Sequence, residues 1–409
     1  MQKPTLTIFY QFNPWESSIG GIQTVIRSFL KYAPQEFEVR LVGTGKQSSS
    51  VGVWQQKEYA GRAIKFMPVI AVEDDNTRKI VPTTLKYTTA LLGKNFASDF
   101  MHFHRLEPTL ATLNWSGHKT LFIHNDIKQQ LNPENSKNAI LWKYFPAGYF
   151  ALEGSLIKQF NQIYSCNTES AQFYREQYPA KAEQVTFLRN TVDNEIFYPL
   201  TAQEEQAQRN ELALKMGLSP QTRFILFAGR LHPQKDPLLL VRSIAALQMQ
   251  DVHLLIAGDG ELAEDIKAEI DKFGVSSQVT MLGAVPHDEL AKLQRLSSVF
   301  VLSSAYEGLP VVVLEALACG TPVVTTHCGE TPKLLTSDSG VVSKARTPEA
   351  IAEALRKVLQ QPEALPTSAC VRTAQPFGAR HVVLDVYQQM LHQWQQRMFA
   401  STTLSTSKL

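Results

Sequence analysis

Short β-branched and aromatic runs alternate with amphipathic stretches along almost the whole chain, and this alternation limits the fold more than any other feature. Leu6–Phe12, Phe37–Val42, Ile64–Val69, Phe100–Phe103, Lys119–Ile123, Gln162–Ser165 and Gln184–Leu188 each read as a buried strand. Stretches such as Gly21–Tyr32, Ile80–Phe96 and Lys137–Phe160 separate most of them with helical spacing. Repeated strand–helix–strand units predict an α/β fold built on a doubly wound parallel sheet. The pattern breaks at Asn190-Thr191-Val192-Asp193, Pro199 and the polar run Thr201–Asn210. It restarts with Phe224–Ala228, Val252–Ala257, Val279–Leu282, Val299–Leu302, Pro322–Thr325 and Val341–Val342. Two such series with a polar hinge between them predict two domains, residues 1–198 and 199–376. A last helical stretch, Phe377–Phe399, is expected to pack back toward the first domain, and 400–409 reads as a disordered Ser/Thr-rich tail.

Composition agrees and removes several function classes. A chain of 409 residues holds two domains at about 100–200 residues each. With 40 Lys and Arg against 38 Asp and Glu it lacks the basic excess of a nucleic-acid binder. No apolar run approaches the roughly 18–20 residues of a membrane span, and the N-terminus does not read as a signal peptide. Cys166, Cys319, Cys328 and Cys370 are far apart with no C-x-x-C pair, which fits a reduced cytoplasmic setting and no zinc cage. Residues 1–199 carry 21 Lys and Arg against 17 Asp and Glu, leaving a slightly acidic remainder. A mildly basic first domain with Trp15, Trp54, Trp115 and Trp142 can touch an anionic membrane from the cytoplasmic side, but for so small a bias a plain solvated surface is the favoured reading.

Doubly wound sheets bind ligands at the carboxyl ends of their strands, and two facing domains make a cleft there. Gly258-Asp259-Gly260-Glu261-Leu262-Ala263 follows a strand as G-x-G-x-x-A, but no acidic residue ends the next strand to hold a ribose. A tight turn is the better reading. Gly43-Thr44-Gly45-Lys46 fails as a phosphate loop and reads as a surface loop. Gly20-Gly21 precedes the first helix, where backbone N–H groups can meet a phosphate or simply form a turn. Arg230 and Lys235 lie just past the strand Phe224–Ala228, where two cations can neutralise a diphosphate. Glu307 and Glu315 flank an apolar helix start, a costly place for carboxylates unless hydroxyl donors meet them. His102 and His104 end one strand and His124 the next. His102 reads as core and His124 as a cleft residue, and no metal is expected, since a third ligand and a D-x-D motif are both missing.

Taken together, these segments resemble the retaining glycosyltransferases of family 4, with the GT-B fold of two Rossmann-like domains around an interdomain cleft. The resemblance rests on Gly229-Arg230 with Lys235, Gly258-Asp259-Gly260, Leu282-Gly283-Ala284-Val285, and the E-x7-E element Glu307–Glu315 followed by Ala318-Cys319-Gly320-Thr321-Pro322. Gly20-Gly21, His104, His124 and Arg189-Asn190-Thr191-Val192-Asp193 add a thinner match in the first domain. It implies a hexosyltransferase that needs no metal or other cofactor and uses a nucleotide-sugar donor, a UDP- or GDP-sugar, with a saccharide or lipid-linked saccharide as acceptor. Arg230, Lys235, Gly20 and Gly21 would hold the diphosphate, and Glu315 the ribose. Glu307, Gly308 and Leu309 would hold the sugar, with His124 beside the anomeric carbon. Gly258 and Val285 complete the donor side, Val285 near the base, and His104 and Asn125 the acceptor side. The sequence departs from the family at Cys328-Gly329-Glu330-Thr331-Pro332-Lys333, where Glu330 and Lys333 stand in place of a second glycine and a glutamate. A sugar-nucleotide epimerase or phosphorylase on the same fold, or an inactive carbohydrate-binding partner subunit, are the alternatives.

Overall fold

The computed structural model describes residues 3–16, 20–72, 82–124 and 146–406. The first domain contains β1 (Thr5–Phe9), α1 (Gly21–Lys31), β2 (Glu38–Gly45), β3 (Gln55–Tyr59), β4 (Arg62–Ala71), α2 (Thr83–Leu91), β5 (Phe100–Phe103) and β6 (His118–Ile123). It continues through α3 (Pro146–Leu156), β7 (Gln162–Ser165), α4 (Thr168–Gln177) and β8 (Val185–Phe187). The second domain starts with α5 (Ala202–Lys215), β9 (Arg223–Ala228), α6 (Pro237–Leu247), β10 (Val252–Ala257), α7 (Ala263–Phe273), β11 (Val279–Gly283) and α8 (His287–Leu296). It then runs β12 (Val299–Leu302), α9 (Val311–Ala318), β13 (Val323–Thr325), the single turn α10 (Thr331–Leu334), β14 (Gly340–Val342), α11 (Pro348–Gln360) and α12 (Thr367–Ala374). One long helix, α13 (Ala379–Thr406), ends the chain.

The strands form two sheets, ordered β3-β4-β2-β1-β5-β6-β7-β8 and β11-β10-β9-β12-β13-β14. Every described pairing is parallel except β3 with β4. Strand order reverses at β1, between β2 and β5, and at β9, between β10 and β12. Those reversals place a crevice at the carboxyl ends of β1 and β5 in one sheet and of β9 and β12 in the other. The central strands are buried on both faces, as β10 is along its whole length, and that produces their uninterrupted apolar runs.

Several expectations change. β3 is an extra strand, and it escapes sequence detection because QQKEY is a polar edge with one half-exposed face. It turns into β4 through Ala60 and Gly61, both at positive φ (49° and 75°), the geometry of a tight two-residue hairpin. Gly43, Thr44 and Gly45 are not a surface loop. They end β2 in the interior, and a Cβ on Gly43 would stand 2.1 Å from the Phe12 carbonyl oxygen. The helix expected over 80–96 is α2 alone, begun at Pro82 and stopped before Gly93, whose φ is +72°. Of the stretch 137–160, residues 137–145 lie outside the described residues, and the rest is α3 and a short 3₁₀ turn. Finally, α13 runs through Thr406, so most of the expected disordered tail continues the helix, where extending a formed helix is easier than starting one.

The chain crosses between the domains twice, side by side. Val192 pairs with Gly378, its N–H donates to Phe377 O at 2.9 Å, and Ala379 N–H donates to Val192 O at 2.8 Å. After the second crossing α13 lies on the first domain. Its Val383, Val386, Tyr387 and Met390 share a core with Phe29, Phe37 and Phe100.

Candidate active site

On the second-domain side, the strand-end turns are drawn together by glycines. Gly258, at φ +154°, leaves no space for a side chain, since a Cβ there would lie 1.9 Å from Gly229 O. Gly260 does the same against Leu231 O at 2.5 Å. The G-x-G run therefore packs the turn after β10 under the turn carrying Arg230, as the tight-turn reading expects. Arg230 is exposed, with no side-chain partner among the described residues. Lys235, five residues on, is paired with Glu307 from the turn after β12. Ser304 Oγ donates to the same Glu307 oxygen, Oε1, at 2.7 Å, which leaves Oε2 free to accept from elsewhere. Ser303 Oγ bonds the carbonyls of Lys235 and Asp236 at 2.9 and 2.8 Å, fixing the lysine's turn to the β12 turn.

Glu315 lies inside α9 and is 1% exposed. Its Oε1 meets His287 Nε2 at 3.1 Å, while Oε2 is buried without any protein partner. A carboxylate oxygen held in that way is a strong acceptor awaiting a donor. Val285 is half-buried just past β11, in the turn that leads to His287. Neither Pro310 before α9 nor Gly20 before α1 gives its helix a side-chain cap, and a Cβ on Gly21 would stand 3.8 Å from Val311. Two uncapped N-termini thus converge at the cleft, one from each domain, and their free N–H groups favour an anion.

On the first-domain side, His104 Nδ1 and His124 Nε2 lie 2.9 Å apart, with the His104 ring stacked on Phe122. Burial, then the neighbouring Arg105, pushes His124 down to about 3, and burial with His124 holds His104 well below the ordinary histidine value. Both rings are therefore neutral near pH 7. Gly308 brings the two sides together: a Cβ there would be 2.7 Å from His124 O. Asn190 Nδ2 donates to Leu309 O at 2.6 Å, tying the same segment to the hinge. His102 is fully buried, with neither ring nitrogen bonded, consistent with a core role. Asn125 lies outside the described residues.

Residues 208–369 match the family description "Glycosyl transferases group 1". Those residues belong to that family. Among similar curated proteins, the D-inositol 3-phosphate glycosyltransferase of Segniliparus rotundus is 30% identical over 220 residues, covering 52% of this chain and 47% of that protein. D-inositol 3-phosphate glycosyltransferase 1 of Catenulispora acidiphila is 28% identical over 263 residues, 60% of this chain and 61% of that one. The chain thus spans about half the length of the curated relatives it matches. Among solved structures, sucrose-phosphate synthase from Thermosynechococcus elongatus superposes with a TM-score of 0.77 at 16% identity, covering 98% of this chain and 100% of that one. Anabaena HepE, in complex with UDP and glucose, superposes at 0.70 and 16% identity, covering 95% and 100%. The glycosyl transferases group 1 domain and the sheet facing it make the GT-B fold.

Several features of the site were not legible in the sequence. His287 as partner of Glu315 is one, and Ser304 as partner of Glu307 is another. The odd loop 328–333 is a third: Glu330 and Lys333 reach across to α4 of the first domain. The first-domain tryptophans differ in exposure. Trp115 is buried, Trp15 is half-buried with its indole N–H on Glu58 O at 2.7 Å, and Trp54 stands 40% exposed against Phe96. Trp142 lies outside the described residues. The aromatic rings face neighbours in the fold because each is worth more packed than in water. No helix among the described residues is long and apolar enough to cross a membrane.

Proposed function

We propose that this chain is a retaining, metal-independent glycosyltransferase that moves a hexose from a nucleotide-sugar to a saccharide or lipid-linked saccharide acceptor, working in the cytoplasm in cell-surface polysaccharide or glycoconjugate synthesis. The observation that carries the reading is the Lys235–Glu307 pair at the carboxyl ends of β9 and β12, with exposed Arg230 beside it and the His124 backbone against Gly308.

In this reading Arg230, Lys235 and the uncapped starts of α1 and α9 neutralise the donor's diphosphate, the work a metal ion does in other enzymes. Glu315 Oε2 takes a ribose hydroxyl as its missing donor. Glu307 Oε2 and the backbone of Gly308 and Leu309 take hydroxyls of the sugar. Neutral His124 lies by the anomeric carbon without repelling the positive charge that develops there. The acceptor hydroxyl attacks on the face the diphosphate leaves: the bond from the anomeric carbon to phosphate oxygen breaks, the new glycosidic bond forms, and a phosphate oxygen takes the hydroxyl proton. Configuration is thereby kept.

The test is a screen of UDP- and GDP-sugars for donor hydrolysis and for protection against thermal unfolding, followed by assignment of the product's anomer. Glu307→Ala and Lys235→Ala are each expected to lower turnover by about 100-fold or more with the fold intact. Near-normal transfer by both variants would overturn the assignment, and an inverted product would overturn the mechanism.

A further inference from the structure

The loop after β13 departs most from the family pattern, and it makes a contact no family motif supplies. Glu330 is 8% exposed. Its Oε1 accepts from Thr168 N–H at 2.8 Å and from Thr168 Oγ1 at 2.6 Å, both in the first domain. Thr168 opens α4, where Asn167 already caps Ser170 N–H at 2.8 Å. Glu330 thus supplies from the other domain a cap that the helix's own sequence leaves open. Lys333 Nζ adds Glu169 at 2.8 Å and lies 3.5 Å from Glu330 itself.

The same loop holds the segment read above as sugar-binding. Glu330 N–H donates to Gly308 O at 2.9 Å. Gly329, at φ +63°, lies so close that a Cβ would meet Gly308 O at 2.3 Å and Glu307 O at 2.7 Å. Only glycine fits there. One residue therefore holds the first domain by its carboxylate and the Glu307–Gly308 backbone by its amide.

We propose that Glu330 is a positioning residue that latches the start of α4 onto the Glu307–Gly308 segment, so that closing the cleft and seating Glu307 are one movement. The latch stands on these contacts; its bearing on catalysis rests on the glycosyltransferase reading. Of the contacts this loop makes with the first domain, those of the Glu330 carboxylate carry the latch, because it is buried and its bonds are charge-assisted. The Lys333–Glu169 pair is about half exposed on both sides and contributes little.

The protein carries its own reporter of opening. Cys166, at the end of β7, is buried, and its thiol donates to His124 O at 3.3 Å. A Cβ on Gly308 would stand 3.5 Å from its sulfur, so the thiol sits in the seam between the domains. Cys319 and Cys370 are buried in the second-domain core. In ligand-free protein, iodoacetamide alkylation of each cysteine is followed by peptide mass spectrometry, together with hydrogen exchange of residues 305–311. Glu330→Gln and Thr168→Val are expected to speed Cys166 alkylation about tenfold and to raise exchange over 305–311, the size of effect expected for weakening one charge-assisted bond. Cys319 and Cys370 should react at unchanged rates, and Thr168→Ser, which keeps the hydroxyl, should behave as the unaltered protein. Unchanged Cys166 rates in Glu330→Gln and Thr168→Val would overturn the latch. If Glu330→Gln accelerates all the thiols together it has loosened the fold, and Thr168→Val then decides: Cys166 faster on its own supports the latch, no change refutes it. No donor is used, so the outcome stands whether or not the chain transfers sugar.

Discussion

Four histidines of the first domain are kept uncharged by their surroundings. Burial pushes His102 down to about 3 and His118 to about 4, and His104 and His124 are depressed for the same first reason. All four folded values lie below the unfolded one, so the stability they contribute is fully present above about pH 6.5 and is lost as pH falls toward 4. Between those limits the unfolded chain binds protons that the folded chain refuses, about 1.4 kcal/mol per histidine per pH unit. His102 offers the cleanest test, because both its nitrogens are unpartnered and it packs between Phe29 and Phe122. His102→Leu should remove about 2 kcal/mol of the stability loss between pH 7 and pH 5, measured by urea unfolding at each pH. An identical loss in both proteins would show that His102 titrates normally. Chain distance also explains what could be read at this scale. Lys235, Glu307 and Glu315 stand out because a charge in an apolar setting needs a partner. Which partner each takes is set by the fold: Glu315 finds His287 28 positions away, and Glu330 finds Thr168 162 positions away.

At the scale of elements, strands buried on both faces write themselves into the sequence as apolar runs, and β5, β7, β10 and β12 fall on their expected bounds. The edge strand β3 carries no such run and is held by pairing with β4, which a sequence does not display. The glycine pattern was legible as turns but not as contacts. Gly258 and Gly274 separate the two meanings of a positive-φ glycine. Gly274 ends α7 at φ +66° with open space around its Cβ position, whereas Gly258 faces the backbone of Gly229 at 1.9 Å. Gly274→Ala should therefore cost only backbone strain, about 1 kcal/mol. Gly258→Ala adds a collision with the turn carrying Arg230, and should cost at least twice as much; under the proposed function it should also weaken the protection that a nucleotide gives against unfolding. Thermal unfolding with and without UDP separates the two effects. If Gly258→Ala is no more damaging than Gly274→Ala, the turn is not held by that contact.

For the whole molecule, the paired crossings at Val192 and Gly378 make the hinge narrow, and α13 makes the first domain depend on the last part of the chain. Val383, Val386, Tyr387 and Met390 recur at helical spacing, so their common face is legible; the surface that receives it, α1 and the strands beneath, is not. Tyr387 is the centre of that contact. It is 1% exposed, its ring lies 4.9 Å from Phe37, and its hydroxyl donates to Phe29 O at 2.9 Å. Tyr387→Phe keeps the packing and gives up the bond, so it should cost about 1 kcal/mol. Tyr387→Ala opens a cavity between α13 and the first sheet and should cost about 3–5 kcal/mol. Because the two domains have separate cores, this loss belongs to the first domain: its urea transition should shift to lower concentration and separate from that of the second. Equal shifts of both transitions would mean that α13 holds the domains as one cooperative unit, and an unshifted first domain would mean that the helix merely rests on a core that is stable without it.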